Sequence, residues 1–233
     1  MQSLNNIFND TLHLFYPHIC TGCGSDLLEE CNMLCLHCIS NLPHTNFEQQ
    51  TNNPIEKIFW GRISLISAHS EFYFSKESLI QQLIHQLKYK GNIAIGLYLG
   101  ELMGKNLLAS GRFNNIDALI PLPLYPDKER KRGYNQAAII CDGISAVINV
   151  PVIKNNVIRQ RYTDTQTKKH RIERWQNVAG SFVVKDERKL SGKNLLLVDD
   201  VVTTGATLEA CGSVITTVES VKLSIATLAH SPK

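Results

Sequence analysis

Two apolar periods alternate along this chain, and the switches between them mark out its elements. Leu195 to Val198 is an unbroken apolar run, short enough for a strand buried on both faces. Asp117 to Leu124 is a second such strand, ended by Pro121 and Pro123, which force an irregular turn. Val221 to Ala229 reads as a last strand, with shorter ones at Pro151 to Ile158 and Ser181 to Val184. Alternation through Ile63, Leu65, Ala68, Phe72 and Phe74 predicts one or two strands across 58–74. Helical spacing of Leu79, Ile80, Leu83, Ile84 and Leu87 predicts a helix from Ser75 to Tyr89, stopped by Gly91. His85 falls on the polar side of that stripe, so a solvated position is expected. A second helix is predicted from Ile93 to Ala109, where Gly96, Gly100 and Gly104 would let a neighbour pack closely. An apolar helix ending at Ile148 follows Gln136, and Leu208, Cys211, Val214 and Ile215 predict another after the 195–198 strand.

Polar residues at the strand ends carry the candidate chemistry. Asp199 and Asp200 stop the 195–198 run, and Thr203-Thr204-Gly205-Ala206-Thr207 leads into the following helix. Ligands of open α/β sheets bind beyond the carboxyl ends of the strands. Hydroxyls, backbone N–H groups and a helix N-terminus there suit a phosphate. The two carboxylates suit the vicinal hydroxyls of a ribose, or a magnesium ion. A phosphorylated sugar fits all three parts, whereas an acidic pair of the response-regulator kind would lie near the start of its domain.

Two basic segments also follow strand ends. Lys128, Arg130, Lys131 and Arg132 precede Gly133-Tyr134-Asn135-Gln136, and a guanidinium in that place is positioned to grip a pyrophosphate. The second segment holds Arg159, Arg161, Gln166, Lys168, Lys169, His170, Arg171 and Arg174, without apolar periodicity. It would serve as a loop closing over an anionic site, or as a nucleic-acid contact with Tyr162 and Trp175 as stacking surfaces. A plain solvated loop is the other reading of both segments.

Five of the seven cysteines fall between Cys20 and Cys38. Cys20-x-x-Cys23 and Cys35-x-x-Cys38, 11 residues apart, have the spacing of a closed four-thiolate structural zinc site. Redox-active or merely buried thiols are the alternatives, and Cys31 is surplus. The division this implies is a cysteine-rich module over 1–45, a polar linker over 46–57 and an α/β domain over 58–233. The formal net charge of +3 is too small to argue for nucleic acid by itself. No apolar run approaches a membrane span, and the first ten residues lack the pattern of a signal peptide, so a cytoplasmic location and reduced thiols are expected.

The stretch Val198-Asp-Asp-Val-x-Thr-Thr-Gly-Ala-Thr207 resembles the phosphoribosyl-pyrophosphate (PRPP) motif of type I phosphoribosyltransferases. With the cysteine pairs, Leu87-Lys88-Tyr89-x-Gly91, Pro121-Leu-Pro-Leu124, Arg132-Gly-Tyr-Asn-Gln136, Thr163-x-x-Gln166 and Arg174-x-x-Asn177-Val178, the whole chain resembles the ComF-type competence proteins. Tyr134 and Lys169 depart from that pattern, which has Phe and an apolar residue there. The resemblance implies a doubly wound, mostly parallel sheet behind an N-terminal zinc-ribbon-like segment. It implies Asp199 and Asp200 on the ribose hydroxyls and Thr203, Thr204, Gly205, Ala206 and Thr207 around the 5′-phosphate. Arg132, Gly133 and Asn135 would meet the pyrophosphate; Arg159, Arg161, Gln166, Lys168 and Arg174 would lie in the covering loop. The implied cofactors are structural zinc and magnesium brought with PRPP. The implied activity is transfer of ribose 5-phosphate to a nitrogen acceptor with release of pyrophosphate. The alternative from a different class is a non-catalytic PRPP sensor or single-stranded-DNA-binding component of the competence machinery.

Overall fold

The computed structural model describes residues 19–26, 28, 33–160 and 181–232. Within them a four-stranded parallel sheet is built from β1 (Ala68–Tyr73), β2 (Ala118–Pro121), β5 (Asn194–Val202) and β6 (Lys222–His230), in the order β1-β6-β5-β2. β3 (Val157–Arg159) and β4 (Phe182–Val184) form a separate antiparallel pair. The helices are α1 (Leu36–Ser40), α2 (Pro54–Phe59), α3 (Leu79–Tyr89), α4 (Ile93–Ser110), α5 (Pro126–Arg132), α6 (Gln136–Ile148) and α7 (Ala206–Ile215).

Successive side chains of a strand point to opposite faces, and both faces of this sheet are covered. Leu196, Val198, Leu119 and Leu228 join one core with the apolar stripes of α3, α4 and α6. Leu195, Leu197, Ile120 and Ile225 join a second with Ile55 and Phe59 of α2 and Leu208, Cys211 and Ile215 of α7. The sheet is therefore doubly wound, and the apolar runs without alternation follow from burial on both sides.

Two local expectations change. Ile58 and Phe59 end a helix rather than begin a strand, because Asn53 caps α2: its Oδ1 accepts from the N–H of Ile55 at 2.9 Å and of Glu56 at 3.0 Å. Pro54 at the first helical position supplies a preset φ. The polar stretch 46–57, read as a linker, holds packed structure. Asn53, Phe47, Glu48 and Ile55 are buried, and the Asn53 amide also donates to the carbonyls of Phe47, Gln50 and Ala68. Just before it, residues 43–45 line the outer edge of β1, with Tyr73 N–H donating to Pro43 O at 2.8 Å and Thr45 N–H to Glu71 O at 3.0 Å. An edge strand is thereby closed to further pairing.

Candidate functional site

β5 does not stop at its acids. It continues to Val202, because Asp199 and Val201 stay in register with Thr227 and Ala229 of β6. The pair therefore stands within the last turns of pleat, held by the ladder rather than by a loop. Asp200 is buried. Asp199 turns back on the chain, its Oδ1 accepting from the Asp200 N–H at 2.8 Å. Burial pushes the Asp199 carboxyl well above the usual carboxylate range, the Asp200 charge adds to that, and Lys88 and Arg159 pull the other way. Lys88 Nζ lies 3.0 Å from Asp200 Oδ2.

The turn after β5 leads into α7 as expected. Thr203 and Thr204 are exposed, while Gly205 is buried at φ 75° and precedes the first helical residue. A Cβ at Gly205 would lie 2.6 Å from Ile58 Cγ2 and 2.9 Å from Phe59 Cε1 of α2. Only glycine meets both the left-handed backbone and that crowding. No side chain caps α7, so its first N–H groups lack a side-chain acceptor at the cap, as an anion site would require. Arg62 secures the turn from outside, donating to Thr204 O at 3.4 Å and to Glu209 Oε2 at 3.2 Å. Nothing in the sequence pattern singled out Arg62, 142 positions from its carbonyl partner.

The residues assigned to pyrophosphate take up different places. Arg132, partly buried at the end of α5, donates to Gln136 Oε1 and has its guanidinium carbon 5.6 Å from the Tyr89 ring centre. Gly133 caps α5 at φ 85°. Asn135 is occupied with backbone: it caps α6 by accepting from Ala137 N–H and donates to Leu122 O at 3.0 Å. The Tyr134 hydroxyl donates to Leu87 O, tying this loop to the end of α3. Between them lies a cleft of about 480 Å³ lined by Lys88, Tyr89, Gly91, Lys128, Lys131 and Arg132. Its four cations come from two segments that sequence order keeps 40 positions apart at the closest, Lys88 and Lys128.

Arg159 is not a loop residue. It ends β3, with its guanidinium carbon 3.9 Å from the Tyr125 ring centre and 5.1 Å from that of Phe182. Arg161, Gln166, Lys168 and Arg174, with Tyr162 and Trp175, lie outside the described residues, as does Cys31.

The four paired cysteines converge. Their sulfurs all lie within 4.8 Å of one another, Cys23 exposed and the other three buried. Cys23 Sγ and Cys35 Sγ are 3.7 Å apart, close to the roughly 3.8 Å edge of a tetrahedron with Zn–S bonds of about 2.3 Å. Burial raises the Cys20 thiol, but N–H groups of Cys23, Cys35 and Gly22 outweigh it and hold it at about 6. Burial and the surrounding thiols push Cys38 up. The donor set suits a soft divalent metal such as zinc. This module rests on α3: Gln86 Nε2 donates to Thr21 O at 3.0 Å, and a Cβ on Gly22 would lie 2.8 Å from Leu79 Cδ1.

Residues 134–233 match the phosphoribosyl transferase domain family. The chain is 28% identical over 202 residues to competence protein F of Haemophilus influenzae, covering 84% of this chain and 83% of that protein. It is 30% identical over 132 residues to the DNA utilization protein YhgH of Escherichia coli, covering 55% and 57%. It is 26% identical over 153 residues to competence protein ComFC of Bacillus subtilis, covering 63% and 58%. The domain match begins at Tyr134, beyond the cysteine module and α3, yet the competence proteins are similar over a longer stretch of the chain. A phosphoribosyl transferase domain and similarity to competence proteins thus meet in one sequence, and together they support the ComF-type, phosphoribosyltransferase-like competence proteins as the family this chain resembles.

Proposed function

We propose that the carboxyl end of β5 binds PRPP and that the protein transfers its ribose 5-phosphate to a nitrogen acceptor, releasing pyrophosphate, as a cytoplasmic component of DNA uptake. The observation that carries this reading is the position of Asp200, a buried acid between an uncapped helix N-terminus and a cleft lined by four cations. A 5′-phosphate suits the uncapped N–H groups of Thr207 and its neighbours on α7. Vicinal hydroxyls suit Asp199 and Asp200 as acceptors, and the charge of a pyrophosphate suits Lys88, Lys128, Lys131 and Arg132.

In the reaction the C1–O bond to pyrophosphate breaks as a nitrogen lone pair forms the new C1–N bond. The acids orient the ribose and stabilise positive charge developing on the ring, and the cleft cations neutralise the departing pyrophosphate. Magnesium bound with PRPP would supply further charge neutralisation on the leaving group. Zinc at Cys20, Cys23, Cys35 and Cys38 would be structural, since four thiolates leave no open position.

The test is calorimetric titration of PRPP with magnesium into wild type and an Asp199→Asn/Asp200→Asn variant. Saturable binding that the variant loses supports the reading, and no binding to folded, zinc-loaded wild type overturns it. A second reading rests on Tyr89, 68% exposed at the rim of the cationic cleft. Stacking of a base on an exposed ring beside phosphate-binding cations is how single strands are held without turnover. Steeply salt-dependent binding of oligonucleotides, with no base-dependent release of pyrophosphate from PRPP, would favour it.

A further inference from the structure

Lys88 belongs to two places at once. It is the basic residue in the last turn of α3, and its ammonium stands 3.0 Å from Asp200 Oδ2. It also lines the cleft shared with Lys128, Lys131 and Arg132. Oδ2 is buried and has no aligned hydrogen-bond donor among the described residues. The ammonium therefore supplies charge there without the geometry of a hydrogen bond. Its side chain keeps 21% of its surface exposed, against 6% for Asp200. A flexible stem with three rotatable donors can leave such a contact, whereas the carboxylate, fixed in a strand, cannot follow it.

The geometry points to Lys88 as a positioning residue shared between the acid pair and an oligophosphate in the cleft. With the cleft empty its ammonium neutralises Asp200. When a pyrophosphate group enters, the ammonium turns to the phosphate oxygens and leaves Oδ2 to a hydroxyl donor. The inference rests on the PRPP reading, which supplies both the oligophosphate and the hydroxyls.

An asymmetry follows. PRPP brings hydroxyls to replace the ammonium at Asp200. Inorganic pyrophosphate brings none, so its binding leaves a buried carboxylate without a partner, which is costly. Asp200 thus opposes pyrophosphate while it favours PRPP, and it opposes pyrophosphate through Lys88.

A double-mutant cycle tests this, with inorganic pyrophosphate and PRPP as separate calorimetric ligands at one fixed magnesium concentration. Lys88→Met should weaken pyrophosphate about tenfold, the scale of one charge-assisted hydrogen bond. Asp200→Asn should tighten pyrophosphate about tenfold while weakening PRPP. In Lys88→Met/Asp200→Asn the gain should vanish, so that the double variant binds pyrophosphate like Lys88→Met. Lys88→Gln gives the same cycle should the Met variant fold poorly. A residue that only supported the fold would weaken both ligands together. Asp200→Asn effects on pyrophosphate that are equal with and without Lys88 would overturn the shared role. Wild type that binds pyrophosphate but not PRPP would overturn the proposed function, while the cycle would still decide for or against Lys88. Wild type that binds neither overturns both.

Discussion

Gly100 of α4 and Gly143 of α6 face each other across a contact that no side chain can enter. A Cβ on Gly143 would lie 3.0 Å from Gly100 Cα and crowd Leu97 O, and one on Gly100 would lie 3.1 Å from Gly143 Cα and crowd Ile140 O. The obstructing atoms are backbone, so neither helix can yield by changing a rotamer. Because α6 begins at Gln136, this contact also bears on the short connection through Tyr134 that joins it to Arg132 at the end of α5.

Gly143→Ala should therefore destabilise the protein by about 1–3 kcal/mol, the usual cost of overpacking. The gain in helix propensity, at most about 1 kcal/mol, does not offset it. Gly104→Ala, whose nearest neighbours stand at 3.1 Å or beyond, should cost less. Urea denaturation midpoints of the two variants check the order, and the reverse ranking would contradict the packing argument.

Glu71 predicts an acid limb of stability. It is buried on β1 and would be raised by that burial, but His44, His69 and Asn106 outweigh it and hold it down from 4.5 to about 2. His44 Nδ1 lies 2.9 Å from Oε1 and His69 Nε2 lies 3.0 Å from Oε2, with Glu48 on the far side of His69 at 3.6 Å. A folded-state value below the unfolded one stabilises fully above pH 4.5, and that stability is lost as pH falls toward 2. The amount is on the order of 3 kcal/mol. Glu71→Gln should lower stability at neutral pH and flatten the acid limb of a urea-midpoint profile; parallel profiles would remove Glu71 as its source.

The cysteine module should hold one zinc per chain, counted by native mass spectrometry. Cys38→Ser should lose it, and Cys31→Ser should keep it. Because the knuckle packs on α3 through Gly22 and Gln86, chelation should lower the melting temperature by roughly 5–10 °C, a few kcal/mol for a chain of this size. An unchanged melt after complete removal would mean that the module folds without metal.

Arg62 predicts a separation of binding from stability. Its side chain is 39% exposed and bridges Thr204 O and Glu209. Arg62→Met should change stability by less than about 1 kcal/mol. It should also weaken PRPP about threefold to tenfold by loosening the turn, as a calorimetric titration would show. Equal affinity in the variant would leave the turn held by Gly205 and α2 alone.

Much of this protein could be read from local rules. The doubly buried run Leu195–Val198, the stripes of α3 and α4, the glycines spaced for close packing and the acid pair before Thr-Thr-Gly each depend on neighbours a few positions away. The paired cysteines were legible for the same reason, since a knuckle is a local turn. The helix at Pro54 was legible too: Asn53-Pro54-x-Glu56 is a start signal, masked by the apolar Ile58 and Phe59 that suggested a strand.

Tertiary structure alone decided what those pieces do together. It extended β5 through its acids, because pairing with β6 depends on a partner 28 positions on, as at Asp199 and Thr227. It committed Asn135 to the α6 cap and moved Arg159 onto a strand between two aromatic rings. It also brought Lys88 to Asp200 and Arg62 to Thr204, contacts that span more than a hundred residues. Periodicity records which face of an element is buried. It carries no record of which distant charge will stand opposite, because that is set by how the layers stack.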